Sequence, residues 1–288
     1  MTRTKKLTGS QTHVATGALN RPGFGTYLGL VILALFAIFP VLYVLLLSLQ
    51  TAREASSLPP TLLPASPQIS NFGVIADRIP LVKLFFNSLV YSSSTTLLLV
   101  IISTMAAYAL VKLKIPGHQL LTSLFVASIL FPPEVRAIPL YTMIASWNWV
   151  DTWAGLVLPL VATGFGLFFM RQFMLTIPDS VLEAARMDGA GEIQVFLRMV
   201  MPMCIPGMAT LTLFNFVFRW NDYMWPLVVT RSQWTTLPLG VLVFKTSENL
   251  VPWNLVAAAA VVTLTPVLVL FVALRRQIMD GVALQAGK

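Results

Sequence analysis

Apolar positions in this chain run in long unbroken stretches, without the alternation of a half-buried strand or the once-per-turn stripe of a surface helix. Charge-free runs cover Pro22–Ala52, Leu84–Val111, Ile115–Pro133, Thr152–Met170, Met199–Phe218 and Asn249–Leu274. A bilayer-crossing helix takes about 20 mainly apolar residues, and in lipid a helix satisfies its backbone within one segment. The pattern therefore predicts an all-α polytopic membrane protein with six transmembrane helices over residues 24–274, between a polar tail, 1–23, and a short tail, 275–288. A further charge-free run, Ala55–Ala76, holds Pro59, Pro60, Pro64 and Pro67 and is predicted to be a loop. The first run is longer than the roughly 7–15 apolar residues of a signal-peptide core, so it reads as an anchor.

Composition points the same way. Of 288 residues, 57% are hydrophobic and 10% charged, against roughly 25% charged in soluble domains, and mean hydropathy is +0.80. The formal charge of +8 is spread over connecting segments with no dense basic stretch, which argues for membrane topology and against nucleic acid. With the N-terminus inside, twelve Lys/Arg fall in cytoplasmic segments and seven in external ones, so both termini are expected in the cytoplasm. Cys204 is the sole cysteine, and His13 and His118 lie far apart, so neither a disulfide framework nor a metal site is expected. Phosphate-loop, zinc-protease and nucleophile-elbow motifs are absent, which argues against an enzyme.

One connecting segment, residues 171–198, carries the densest charge. Pro178 and Asp179 read as helix start signals, Ser180 and Glu183 have capping-box spacing, and Val181, Leu182, Ala184, Ala185 and Met187 supply an apolar face. Gly189 is placed to take a positive φ and end the helix, and a second helical run, Glu192–Met201, leads into the fifth span. Such a helix either lies on the membrane surface or docks on a protein. Lipid-binding versions usually carry Lys/Arg on the polar face, so this acidic one better suits a basic protein partner.

Glu183-Ala184-Ala185-x-x-Asp188-Gly189-Ala190, with Phe196 and Pro202 downstream, resembles the EAA signature of the permease subunits of ATP-binding-cassette importers. Asn87-Ser88, Ala107-Tyr108-Ala109 and Trp220-Asn221-Asp222-Tyr223-Met224-Trp225-Pro226-Leu227 resemble the sugar-importer branch. The ending from Arg275 is similar to the tail of the smaller maltose-system membrane subunit, while Pro133-Glu134-Val135-Arg136 and Arg171-Gln172-Phe173 are similar to the glycerol-3-phosphate branch. The resemblance implies a type I importer permease fold in a bacterial plasma (inner) membrane. Glu183, Ala184, Ala185, Asp188, Gly189 and Ala190 would then form the helix that seats on an ATPase subunit.

It implies as partners a second permease subunit, as a heterodimer, two ATPase subunits that bind ATP and Mg, and an extracytoplasmic binding protein. The implied cargo is a sugar-like small molecule, with glycerol-3-phosphate or a glycerophosphodiester among the candidates. No cofactor is expected in this chain. Trp220, Asn221, Asp222 and Tyr223 follow the fifth span, and either line the substrate path, with Trp220 and Tyr223 stacking on a sugar, or belong to an interfacial aromatic belt. Arg136 either attracts an anion or pairs with Glu134. A secondary transporter driven by an ion gradient is the alternative, but it would want acids within the spans, and none lies in the six runs.

Overall fold

The computed structural model describes residues 23–244 and 252–286; the expected tails therefore fall largely outside the described residues. Among those residues the chain is helical, with no strand. The helices are α1 (Phe24–Ser48), α2 (Ala52–Ala55), α3 (Ser70–Arg78), α4 (Leu81–Val111), α5 (His118–Ser128), α6 (Pro133–Ser146) and α7 (Trp153–Val157). They continue as α8 (Gly164–Met174), α9 (Asp179–Met187), α10 (Glu192–Gln194), α11 (Met201–Trp220), α12 (Met224–Val229), α13 (Leu237–Val241) and α14 (Trp253–Ala286). Two compact units divide within α1, one ending at Tyr43 and the other starting at Val44.

Four stretches are single helices long and apolar enough to cross a membrane: Phe24–Ser48, Leu81–Val111, Glu192–Trp220 and Trp253–Met279. Two more crossings arise only if bent helix pairs each count as one. α5 and α6 meet at 103°, while the α7 segment and α8 meet at 46°. The third predicted span is thus corrected. The charge-free run Ile115–Pro133 is no continuous helix, because Pro132 and Pro133 lack N–H donors and disfavour helix in the residue before each; α5 has 11 residues. The proline-rich loop stands as expected, with α3 added at its end.

Within the second unit, α4 packs against α8 and α11, α11 against α14, and α5 against α8. Glycines set two of these approaches. A Cβ on Gly164 would lie 2.2 Å from the Phe125 carbonyl oxygen of α5, and one on Gly166 would lie 2.5 Å from Ser103 Oγ of α4. Buried positions of α4 include Ser88, Ser92, Thr95, Thr96, Ser103 and Thr104. These small polar residues lie inside alongside Leu84, Leu99, Val100, Leu110 and Val111, and small side chains at helix contacts let backbones approach closely in lipid. Just before Pro202 the helical ladder widens to a π-turn, where Met201 N–H bonds the Phe196 carbonyl five residues back.

Candidate functional site

α9 is rooted by one face and open on the other. Leu182 and Ala185 are buried in the core with Met174, Val195 and Val200. Glu183, Ala184, Asp188 and Gly189 are exposed, and Met187 is 89% exposed, so the expected apolar face is narrower than the sequence implied. The Ser180–Glu183 capping box does not form. Pro178 is the N-cap, in extended geometry, and no side chain caps the helix. The helix therefore starts two residues early, Ser180 already lies within it, and the N-cap position is taken by a residue with no side-chain acceptor.

The far end of α9 follows expectation. Gly189 has φ +82°, its N–H bonds the Arg186 carbonyl at 3.0 Å, and Ala190 N–H bonds the Ala185 carbonyl at 3.1 Å. That pair of bonds is the Schellman motif, which needs a left-handed residue at this place. Ala184, Ala185, Asp188 and Ala190 share a groove of about 540 Å³ with Gln194 and Arg198, while Glu183 and Gly189 lie outside its wall.

One ion pair ties this loop to the end of α4 and a second closes the loop on itself. Lys112, just past α4, donates to Asp179 Oδ1 and to the Ile177 carbonyl, both at 2.6 Å. The Lys112 hydrogen bond and charge hold the Asp179 carboxyl below its ordinary value. Arg186 Nε donates to Glu192 Oε1 at 2.8 Å, and Tyr108 Oη donates to Glu192 Oε2 at 2.6 Å. The sequence reading missed these links.

A second polar cluster forms where α11 ends. Asp222 Oδ2 accepts from Tyr91 Oη of α4 at 2.8 Å and from Arg219 Nη1 at 3.3 Å, and Asp222 Oδ1 accepts from the Trp225 N–H at 3.2 Å. Trp220 is 1% exposed. Its ring is stacked on Phe216, met edge-on by Phe85, and its Nε1 donates to the Thr263 carbonyl at 2.8 Å. A sugar could stack on Trp220 only by displacing these neighbours, so the structure gives it a core position. Asn221 donates back to the Val217 carbonyl of its own helix, and Tyr223 is 53% exposed. The structure thus brings Asp222 into a network and leaves Asn221 and Tyr223 apart from it. Arg219 was missed, although its spacing of three from Asp222 was visible.

Asn87 and Ser88 fasten the segment after α12. Asn87 Nδ2 donates to the Gln233 and Thr235 carbonyls, both at 2.9 Å, and Ser88 Oγ accepts from Leu237 N–H at 2.7 Å. From the other side Asp151 accepts the N–H groups of Ser232, Gln233 and Trp234. Burial would raise the Asp151 carboxyl, but these backbone donors outweigh it and hold it low. Among the described residues neither Glu134 nor Arg136 joins an ion pair, so that expected pair is absent.

Long apolar helices, several of them able to cross a membrane, with an acidic helix rooted by one face, fit a multi-pass membrane protein. Residues 99–280 match the family described as binding-protein-dependent transport system inner membrane component, and the chain belongs to that family. It is 32% identical over 256 residues to the sn-glycerol-3-phosphate transport system permease protein UgpE of Escherichia coli O1:K1, covering 85% of this chain and 90% of that one. Identity to the protein of the same name in Salmonella typhimurium is 32% over 252 residues, with 85% and 90% covered. Among solved structures, a bacterial ABC transporter that imports the acidic polysaccharide alginate matches with TM-score 0.75 and 24% identity, covering 87% of this chain and 94% of that one. The chain is therefore an importer permease, and the sequence expectations of fold and family hold.

Proposed function

We propose that this permease carries a carbohydrate or sugar derivative into the cell, with glycerol-3-phosphate or a glycerophosphodiester as candidate cargo. In this reading it pairs with a second, different permease subunit and docks two ATPase subunits that bind ATP and Mg. An extracytoplasmic binding protein delivers the solute, and both termini face the cytoplasm. The carrying observation is α9. Leu182 and Ala185 fix it to the core while Glu183, Ala184, Met187 and Asp188 stay free, and a large exposed apolar residue beside acids suits a protein partner better than water.

The exposed Ile193, at 75%, lies just beyond the turn and extends that surface. Closure of the ATPase pair would push on α9, and the ion pairs at Lys112 and Glu192 would pass the movement to α4 and to the helix that continues into α11. That is the rigid-body form of alternating access. The relatives named for sn-glycerol-3-phosphate support the cargo class. The test is ATP-dependent uptake into membrane vesicles with and without the ATPase subunits. Uptake should require them; uptake driven by an ion gradient without them would replace this reading with a secondary transporter. A reporter active only outside the cytoplasm should stay silent when fused after Lys288 and give signal when inserted near Ser66.

A further inference from the structure

Between the break that separates α5 from α6, the start of α8 and the last turns of α11 lies a cavity of about 360 Å³. Its polar wall is Ser128, Arg136, Thr163, Asn215 and Arg219, and Phe218 supplies an apolar side. No acid lines it, although two guanidinium groups do. Arg219 is 7% exposed. One of its nitrogens is committed to Asp222, but Nε has no hydrogen-bond acceptor. A buried guanidinium with an idle donor is costly unless something accepts from it. Arg136 makes no ion pair among the described residues. The start of α8 adds to the same sign. Thr163 Oγ1 takes the Gly166 N–H at 3.1 Å, and the N–H groups of Gly164 and Phe165 have no partner within the helix.

We propose that this cavity is a binding site for the anionic group of the transported solute, a phosphate or carboxylate on a small polyol or sugar. The inference rests on the permease reading and narrows its cargo to an anion. A guanidinium offers a planar fork that fits either oxyanion, Asn215 and Ser128 can meet hydroxyl groups, and Phe218 gives a carbon skeleton a surface to lie on. Asp222 keeps Arg219 in place from behind, in the adjoining cavity that it shares with Glu134, so the anion-facing wall stays positive while the cluster as a whole is nearly neutral.

The test uses the intact importer in nanodiscs of phosphatidylcholine alone, with sn-glycerol-3-phosphate and glucuronate as probes and glycerol and glucose as their uncharged counterparts. The wild-type complex should bind at least one charged probe and neither neutral one. Arg136→Gln should weaken that binding by about tenfold, the worth of one charge-assisted contact; Arg219→Lys should weaken it less than Arg219→Gln. Arg136 is exposed and unpaired, so its variant should fold normally even if the Arg219 variants do not. Arg53→Gln, an exposed charge outside the cavity, should change nothing.

Binding of neither charged probe to wild type, or equal binding by wild type and Arg136→Gln, overturns the proposal. Binding lost to added phosphatidylglycerol, with phospholipid retained on wild type and lost from Arg136→Gln, would assign the cavity to a lipid phosphate and overturn the solute assignment. Failure of the permease reading looks different: wild-type complex would then show no ATP-dependent uptake with its binding protein, whatever the probes do.

Discussion

α4 meets two ion-paired clusters, one through the Tyr91 hydroxyl and one through Lys112 just past its C-terminal end, and the two are built differently. Tyr91 and Lys112 stand 21 positions apart, roughly 30 Å along a helix. At the Lys112 end the acids reach water: the Lys112 side chain is 4% exposed but its partner Asp179 is 55% exposed, and Arg186 and Glu192 are 36% and 49% exposed. At the Tyr91 end Arg219 and Asp222 are 8% and 11% exposed. Exposed pairs are worth about 0–1 kcal/mol and remake easily. A buried pair is held in one arrangement because loss of either partner strands a charge. On the proposed function, a loop that moves with an ATPase partner is served by the first kind of bond; on the proposed anion site, a wall that presents a fixed charge is served by the second.

The largest effect should come from the buried end. Asp222→Ala removes the acceptor of Tyr91 and the counter-charge of Arg219, and breaking a buried pair this way costs about 3–5 kcal/mol. Sequence reasoning left Asp222 between a lining of the substrate path and an interfacial belt. The network makes folding the first casualty. Thermal melting in detergent should fall steeply for Asp222→Ala and much less for Asp222→Asn, which keeps an acceptor for Tyr91. Equal, small shifts for both would mean that the cluster is not a structural clamp.

Next comes Gly189→Val. A Cβ at Gly189 would meet nothing within 4 Å, so any effect is backbone strain at φ +82°, about 1–2 kcal/mol for a left-handed residue. Relieving it would unwind the end of α9 and shift the free face. ATP hydrolysis without solute uptake is the expected phenotype, with partial recovery in Gly189→Asn, since Asn tolerates this region. Full coupling in Gly189→Val would show that the turn's shape is not read by the ATPase.

What the sequence disclosed divides along physical lines. Span positions were legible because hydrophobic length is a property of a local window, as was the turn at Gly189. The α5–α6 bend was signalled by Pro132-Pro133 but overridden by the apolar run around it. Capping boxes show the limit of a spacing rule. Ser180-x-x-Glu183 matched and did not form, while Thr51-x-x-Glu54 forms one in full, with Glu54 held low first by the Thr51 and Ala65 N–H groups. The difference lies two residues upstream, where Pro178 takes the N-cap for itself. Links across the chain, such as Tyr91 to Asp222 or Lys112 to Asp179, leave no mark in a window, and Arg219 was passed over as the charge that ended a run.

A smaller effect is expected from Asp179→Asn at the exposed end, about 1 kcal/mol or less. Its pH dependence has a defined sign. The native Asp179 carboxyl is held below its ordinary value by Lys112, so the pair contributes above the unfolded carboxylate value near ~4 and is lost as pH falls through the lower native value. Coupling of hydrolysis to uptake should therefore stay level from about pH 8 to about pH 5 as far as this pair is concerned. If the coupling that wild type loses on acidification toward about pH 5 is missing from Asp179→Asn, the pair titrates where this account says it cannot.

Glu183→Gln should have the smallest effect on the protein itself and is for that reason the sharpest probe of the comparison. Glu183 was expected to cap its own helix, which would have confused any loss of function with a loss of helix. The structure removes that reading, because no side chain caps α9 and Glu183 is exposed. An exposed substitution away from such features changes stability by less than about 0.5 kcal/mol, so melting should match wild type. A charge buried only when a partner arrives behaves otherwise: truncating one member of an interfacial pair costs about 2–5 kcal/mol, enough to lower retention of the ATPase subunit on purification. Unchanged melting with reduced ATPase retention would make Glu183 a docking residue. Unchanged melting with full retention and full uptake would leave recognition to Ala184, Met187 and the shape of the Gly189 turn, and the acidic character of the loop would then serve no contact.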